Sequence, residues 1–158
     1  AIISGAVSGV YPLRERIIQN ATTVGVDVLK HPGYGSGKRY TPGYLQEISQ
    51  YKVSVATASR HGFALRKIIE SVACECVTIT DLPKVDCLPY IDDALIRVPT
   101  SATPLQIRDI VRECVVNYSP EKAKYYAVLA KSFYDFLHQG MLLNRNLEGL
   151  CDLFSHKK

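Results

Sequence analysis

The sequence predicts a three-layer α/β domain in which helices cover both faces of a mainly parallel sheet. Short β-prone apolar runs alternate with helical patterns of about a dozen residues, and a glycine-rich turn separates the first run from the first helix. Strands that alternate with helices are joined by crossovers, which make neighbouring strands parallel. The length of 158 residues and the 47% of hydrophobic residues suit one domain with a full core.

Five short apolar runs predict the strands of this sheet. Most of them are rich in valine, isoleucine or threonine, and glycine, proline or polar residues bound them. The first run leads directly into the small-residue turn at residues 4–9. We place the strands at residues 1–3, 26–29, 53–57, 76–80 and 95–98.

Apolar residues with helical spacing predict the helices. Pro12 opens the first helix, and residues 64–74 show the clearest single apolar stripe. Thr103 can cap a helix whose first position is Pro104, and Pro120 opens the last helix in the same way. The helices are expected near residues 13–18, 44–51, 64–74, 104–115 and 120–137. Together with the strands they predict a Rossmann-like fold.

Charge and composition exclude several classes of protein. The net charge of +4 arises without a long basic stripe, which favours a small anionic ligand over nucleic acid. No apolar run approaches the roughly 20 residues of a membrane span. Five cysteines without metal-ligand spacing are interpreted as reduced thiols of a cytoplasmic protein, so we expect no metal site.

The ends of the chain suggest its organisation. It starts on a strand-like run without an initiator methionine, so we expect a fragment of a longer protein whose partner domain is missing. Residues 1–154 are expected to form one domain, and residues 155–158 a frayed tail. Phe133 and Phe136 on the last helical stripe would favour a homodimer if they are exposed.

The first loop is a candidate phosphate site, because open parallel sheets bind ligands beyond the carboxyl ends of their strands. Ser4 and Gly5 can present backbone N–H groups, and Arg14 adds positive charge. A tight turn with a surface arginine is the alternative interpretation. A nicotinamide cofactor is disfavoured because the glycines miss the dinucleotide fingerprint and the second strand is followed by Lys30 and His31, not an acid.

Other loops at the same edge supply four candidates. His31 can donate to a phosphate or a sugar hydroxyl, and Tyr34 can stack on a base. His61 lies beside Arg60 just before a helix, where the dipole and the charge favour an anion. Each of these residues also has a structural alternative, which the sequence leaves open. His31 can be a turn residue, Tyr34 can cover the edge of the core, and His61 can be a solvated helix cap.

Glu70 is the most informative single residue. It lies between apolar pairs on the helix at 64–74, where a carboxylate needs a partner or a ligand to offset desolvation. A ribose supplies two vicinal hydroxyl donors to one carboxylate. Pairing with Arg66 or Lys67 on the helix surface is the alternative.

Three segments in order carry a resemblance to a known family. Residues 66–81 resemble the signature helix and strand of GT-B glycosyltransferases, in which a basic residue and two apolar residues precede a glutamate, followed by Ala-Cys-Gly and a strand. Two further segments resemble the CgeB-type spore-maturation branch of that group. They are Ser4-Gly5 with residues 11–14, and residues 31–34 followed by residues 37–40 and Leu45. The resemblance covers roughly residues 1–100.

The resemblance implies the carboxy-terminal, donor-binding domain of a metal-independent glycosyltransferase that binds a nucleoside diphosphate sugar and no further cofactor. Glu70 resembles the ribose-binding glutamate, and Lys67, Arg14 and Arg60 resemble diphosphate contacts. The missing partner would be the amino-terminal acceptor domain, and no catalytic residue is assigned. Two competing hypotheses stay open: a non-catalytic binding or assembly module with the same half-fold, and another Rossmann-like nucleotide-dependent transferase.

The chain departs from the family pattern at two positions. Glu75 stands where the family usually has glycine, which questions the close packing of helix and strand. Gly62 stands where many GT-B enzymes carry a second acid eight residues before the ribose glutamate. That acid would meet the donor sugar, so the identity of the sugar is left open.

Overall fold

The computed structural model describes residues 1–30 and 42–132. All five predicted strands lie within these ranges, each with boundaries within two residues of the prediction. They are β1 Ile2–Ser4, β2 Asp27–Leu29, β3 Val53–Val55, β4 Val77–Thr80 and β5 Leu95–Arg97. Their apolar, β-branched residues suit a pleated strand that is buried by helices.

The five strands form one parallel sheet in the order β2-β1-β3-β4-β5. Ile2 of β1 is paired with Asp27 of β2 on one side and with Ser54 of β3 on the other. After β1, the chain adds β2 on one side of it. It then crosses over and adds β3, β4 and β5 in turn on the other side. This reversal is the switch point of a doubly wound sheet, and it confirms the Rossmann-like prediction.

Helices cover both faces of the sheet. They are α1 Pro12–Gln19, α2 Ala21–Val24, α3 Pro42–Ile48, α4 Arg66–Ala73, α5 Pro104–Val116 and α6, described from residue 120 to 132. The four residues of α2 escaped prediction because one turn is too short to show a period, and Gly25 ends it in a left-handed conformation. A 3-10 turn at Asp92–Ala94 was also not predicted.

The predicted start of α5 is confirmed by its cap. Thr103 Oγ1 accepts a hydrogen bond from the backbone N–H of Gln106, and Gln106 Oε1 accepts one from the backbone N–H of Thr103. This capping box satisfies two N–H groups that the helix itself leaves unpaired, and such caps stabilise a helix by about 1 kcal/mol.

Two apolar layers hold the sheet between the helices. On one face, side chains of β1, β3 and β4 pack against α1, α2 and α5; this layer includes Ile3, Leu13, Ile17, Val55, Ile79 and Ile107. On the other face, α3 contributes Tyr44 and Ile48 against Ile2, and α4 contributes Ile68 and Val72. Burying one such aliphatic side chain contributes about 1.5–3 kcal/mol.

The connection from α4 to β4 explains why glycine suits position 75. The backbone N–H of Cys76 donates to Ser71 O over 3.1 Å, and that of Glu75 donates to Val72 O over 3.0 Å. This pair of bonds is a Schellman motif, which requires a left-handed residue. Glu75 supplies it with φ of 64°, so α4 and β4 still connect closely despite the missing glycine.

Several predictions fall on other parts of the chain. His31, Tyr34, Phe133, Phe136 and residues 155–158 lie outside the described residues. Within residues 1–30 and 42–132, no helix is long and apolar enough to cross a membrane. The same ranges contain no group of three or more potential metal ligands, and their four cysteines have free thiols.

Candidate functional site

The loops that follow β1 and β3 lie side by side at the switch point of the sheet. The backbone N–H of Arg60, after β3, donates a 2.8 Å hydrogen bond to Val10 O, after β1. Both loops start at the carboxyl ends of adjacent strands. The crevice at this position is where doubly wound sheets bind their ligands.

Arg14 is fixed in this crevice by its neighbours. Its side chain is buried although it carries a charge. Nε donates to Thr57 Oγ1 over 3.1 Å and Nη2 donates to Thr57 O over 3.4 Å, while Nη1 is 3.5 Å from Ala6 O. The guanidinium also lies 4.0 Å from the centre of the Tyr11 ring. Burial lowers the pKa of Arg14, but an arginine stays charged at physiological pH.

Lys67 lies in the first turn of α4 and is 9% exposed. Within the described part of the chain, its ammonium group makes no hydrogen bond and no ion pair. Burial, followed by the nearby charge of Arg14, lowers the pKa of Lys67 to about 8, and Glu70 acts in the opposite direction. A buried ammonium group without an acceptor is costly unless a ligand supplies one.

Gly5 is the point at which these two cations meet. A Cβ atom at this position would lie 2.7 Å from Arg14 Nη1 and 2.9 Å from Lys67 Nζ. Its φ of 127° is also a conformation that side chains disfavour. Glycine therefore lets the ends of Arg14 and Lys67 both pack against the backbone at position 5. The preceding Ser4 is tied to α3 through a 2.5 Å hydrogen bond between its Oγ and the hydroxyl of Tyr44.

Glu70 lies one helical turn after Lys67 and is 6% exposed. Both of its carboxylate oxygens are buried, and neither has a hydrogen-bond partner among the described residues. Arg66 Nε is 2.6 Å from Oε1, so the two residues form an ion pair, but the direction of the N–H does not make a hydrogen bond. The ion pair expected as an alternative is therefore present, and the carboxylate still has unused acceptor capacity.

Glu70 is one of the residues that line a groove between α3 and α4. The groove has a volume of about 800 Å³ and reaches Lys131 of α6. Gln46 and Ser49 of α3 line its opposite wall.

Arg60 and His61 border the crevice and are exposed to solvent. Arg60 Nε is 3.4 Å from His61 Nε2, and the backbone N–H of His61 donates to Ser59 Oγ over 3.3 Å. Within residues 1–30 and 42–132, neither side chain makes a hydrogen bond or an ion pair with Arg14 or Lys67. The structure thus brings together Gly5, Arg14 and Lys67, with Glu70 adjacent, and leaves Arg60 and His61 at the rim.

Two residues of the site escaped the sequence analysis. Thr57 holds Arg14 through its hydroxyl and its carbonyl oxygen, as described above. Asp81 follows β4 and accepts a 2.7 Å hydrogen bond from the backbone N–H of Ala58. Burial raises the pKa of Asp81, and the bond from Ala58 opposes that shift. Their position directly after buried strands, at the ligand-binding edge, was the available signal.

Gly62 adopts a left-handed conformation with φ of 76°. A Cβ at this position would lie 3.1 Å from Pro83 Cγ. An acidic side chain would therefore be strained here, whichever direction it took. The local backbone therefore disfavours an acidic residue at this position.

A second cavity, of about 290 Å³, lies between α5, α6 and the strands β4 and β5. Cys76 and Cys114 line it. Burial raises the pKa of Cys76 to about 12 and also raises that of Cys114, so neither thiol is a reactive thiolate at neutral pH.

A scan against protein-family models, a search of curated proteins and a search of solved structures each found no match to this chain.

Proposed function

We propose that this chain is the donor-binding half of a glycosyltransferase, which transfers a sugar from a nucleoside diphosphate sugar to an acceptor. The observation that carries the proposal is the convergence of Arg14 and Lys67 over Gly5, with the unsatisfied carboxylate of Glu70 one helical turn away. The resemblance of residues 66–81 to the GT-B signature supports the same assignment.

The paired cations support a diphosphate ligand. Arg14 and Lys67 are both buried, and neither makes an ion pair within the described residues. Asp81 attracts Arg14 only at a distance. Two positive charges held side by side repel each other, and an anion between them would remove that cost. Charge-assisted hydrogen bonds to phosphate oxygens are among the strongest that a protein makes.

Glu70 supports a ribose next to that diphosphate. A carboxylate accepts hydrogen bonds at both oxygens, and a ribose carries two vicinal hydroxyl donors. Each unsatisfied buried acceptor costs about 1–3 kcal/mol. A nucleoside bound beside Lys67 would satisfy Oε2 without disturbing the ion pair between Arg66 and Oε1.

The same residues have a role in the transfer step. As the bond between the sugar and the diphosphate breaks, negative charge develops on the departing phosphate oxygen. Arg14 and Lys67 are already in place to stabilise that charge, and prearranged charges of this kind supply a large part of enzymatic rate enhancement. The acceptor and the base that activates it would come from the amino-terminal domain that the resemblance implies.

The second candidate is a binding or assembly module without transferase activity. The left-handed backbone at Gly62 favours it, because that position disfavours the second acid that many GT-B enzymes use to contact the donor sugar. Such a module would bind a nucleoside diphosphate, and the attached sugar would not increase its affinity. The two candidates therefore differ in their response to the sugar part of the donor.

A thermal-shift panel tests the proposal. UDP, GDP, their common sugar conjugates, NAD and S-adenosylmethionine are each titrated into the protein, because a ligand that binds only the folded state raises its Tm. The proposal predicts a shift with one nucleoside diphosphate and its sugars, which is much smaller in Glu70→Gln and unchanged in the exposed control Glu113→Gln. A shift with NAD or S-adenosylmethionine alone would contradict it. Release of free sugar from the bound conjugate would favour the transferase over the module.

A further inference from the structure

Arg97, the last residue of β5, holds the loop that joins β4 to β5 around its guanidinium. Nη1 donates to Leu82 O over 2.6 Å and to Pro83 O over 2.7 Å, and Nη2 donates to Asp86 O over 3.1 Å. Nη2 also forms an ion pair with Asp92 Oδ1 over 2.5 Å. One side chain therefore fixes four points of this loop.

The guanidinium group is well suited to this position. Its N–H groups point in fixed directions within one plane, so a single residue can serve several acceptors at once. The side chain of Arg97 is only 11% exposed, and its bonds to Leu82 O and Asp86 O are partly buried. A carbonyl oxygen in such a place is costly without a donor. We therefore expect the loop to rearrange when the guanidinium is removed.

Asp86 links this loop to the segment before α4. While its carbonyl oxygen accepts from Arg97, its Oδ2 accepts a 3.0 Å hydrogen bond from the backbone N–H of Ala64. A second contact lies nearby in the chain, because a Cβ atom at Gly62 would be 3.1 Å from Pro83 Cγ. The two loops therefore meet at Asp86 and at Pro83, and Arg97 holds both of these residues.

The segment that contains Ala64 leads directly into α4. Leu65 is the N-cap residue of this helix, and its apolar side chain cannot accept a capping hydrogen bond. The bond from Ala64 to Asp86 thus fixes a helix start that has no polar cap of its own. Lys67 is the second residue of the helix. The position of Lys67 beside Gly5 therefore depends on the loop after β4.

We propose that Arg97 is a positioning residue, which sets the loop after β4 and, through Asp86 and Ala64, the place of Lys67 in the anion site. Arg97 itself would not contact the ligand. Its effect on ligand binding rests on the proposed function, whereas its effect on the start of α4 does not. The two effects are therefore measured separately.

Hydrogen exchange of the Ala64 amide, followed by NMR, tests the effect on the ligand-free protein. Arg97→Ala should speed this exchange at least about tenfold, because the acceptor on Asp86 is no longer held in place. Asp86→Ala removes that acceptor but keeps the backbone oxygens that Arg97 binds, so it tests the same linkage if Arg97→Ala does not fold. Arg112→Ala, at an exposed position of α5, is the control. Unchanged exchange at Ala64 in both Arg97→Ala and Asp86→Ala would overturn the proposal.

Calorimetric titration of pyrophosphate into the folded variants tests the effect on the site. We expect Arg97→Ala to bind about tenfold more weakly, and millimolar guanidinium, but not the same concentration of sodium chloride, to restore its affinity. Because Arg97 acts through Asp86, the double variant should lose no more affinity than the weaker-binding single variant. Losses that add fully would show separate roles and contradict the proposal. A merely structural Arg97 would lower the stability and leave the affinity of the folded protein unchanged.

The two measurements separate this proposal from the proposed function. If pyrophosphate binds equally to the unmodified protein and to Arg97→Ala, the positioning role is wrong and the donor site is retained. If Arg97→Ala and Asp86→Ala both speed exchange at Ala64 while no anion binds to the unmodified protein, the donor site is wrong. In that case Arg97 still sets the start of α4.

Discussion

Arg14 Nε donates a 3.1 Å hydrogen bond to Thr57 Oγ1, and this bond joins the helix after β1 to the segment after β3. Asp81, after β4, holds the same segment through the backbone N–H of Ala58. The carboxyl ends of three neighbouring strands are therefore linked around one guanidinium. This linkage holds Arg14 beside Gly5, so the proposed anion site depends on residues that would not contact the anion.

Thr57→Val tests that dependence. Valine keeps the shape of threonine but cannot accept a hydrogen bond, so Nε of Arg14 is left buried and unsatisfied. We expect the free energy of unfolding to fall by about 1–3 kcal/mol in urea titrations, and the affinity for pyrophosphate to fall as well. Thr57→Ser keeps the hydroxyl and serves as the control. Equal affinities of the two variants would show that Thr57 does not position Arg14.

Gly5→Ala tests the close packing of the two cations against the backbone at position 5. The added methyl group would stand 2.7 Å from Arg14 Nη1 and would occupy an unfavourable φ of 127°. We expect loss of pyrophosphate binding in calorimetric titrations, together with a destabilisation on the order of 1–3 kcal/mol. At Gly9 a Cβ would meet no atom within 4 Å, so Gly9→Ala should preserve binding. Binding by Gly5→Ala equal to that of the unmodified protein would contradict this account.

Lys67→Met separates stability from ligand binding. Because the pKa of Lys67 is about 8 when folded and 10.5 ordinarily, burying its charge opposes folding fully below pH 8, and this penalty disappears as the pH rises to 10.5. Methionine should therefore stabilise the ligand-free protein by roughly 1–3 kcal/mol at pH 7 and abolish anion binding. The difference should shrink between pH 8 and 10.5. A destabilised variant at pH 7 would contradict the cost assigned to Lys67.

Glu75→Gly tests the turn between α4 and β4. Glu75 holds a left-handed conformation with φ of 64°, which glycine adopts without the steric cost of a side chain. We expect stabilisation by about 1 kcal/mol in urea titrations, with no change in ligand affinity. Glu75→Ala retains the Cβ atom and should leave stability nearly unchanged. If both variants behave alike, the backbone conformation is not the cause.

The elements of this fold follow from local patterns, whereas the strand order does not. The stripe along α4 and the cap at Thr103 are set by residues a few positions apart, so sequence alone places them. That β1 lies between β2 and β3 depends on long-range packing. The single turn of α2 repeats no pattern, which is why it was missed.

The candidate site was predictable in its members but not in its geometry. Gly5, Arg14, Lys67 and Glu70 each carry a local signal, such as a glycine-rich turn or a carboxylate between apolar residues. Their convergence requires the crossover that brings α1 and α4 to the same edge of the sheet. The role of Thr57 was not predicted because its partner Arg14 is 43 residues away, and only the position of Thr57 after a buried strand marked it.

The central claim is that Lys67 binds the phosphates and Glu70 binds the ribose of one nucleotide. Calorimetric titration of pyrophosphate, UDP and GDP into the unmodified protein, Lys67→Met and Glu70→Gln tests it most directly. The account predicts that Lys67→Met loses binding of all three anions. Glu70→Gln should keep its affinity for pyrophosphate and lose at least about tenfold in affinity for the preferred nucleotide, the equivalent of one lost charged hydrogen bond. Unchanged nucleotide affinity in Glu70→Gln, or no binding of any of the three anions to the unmodified protein, would contradict it.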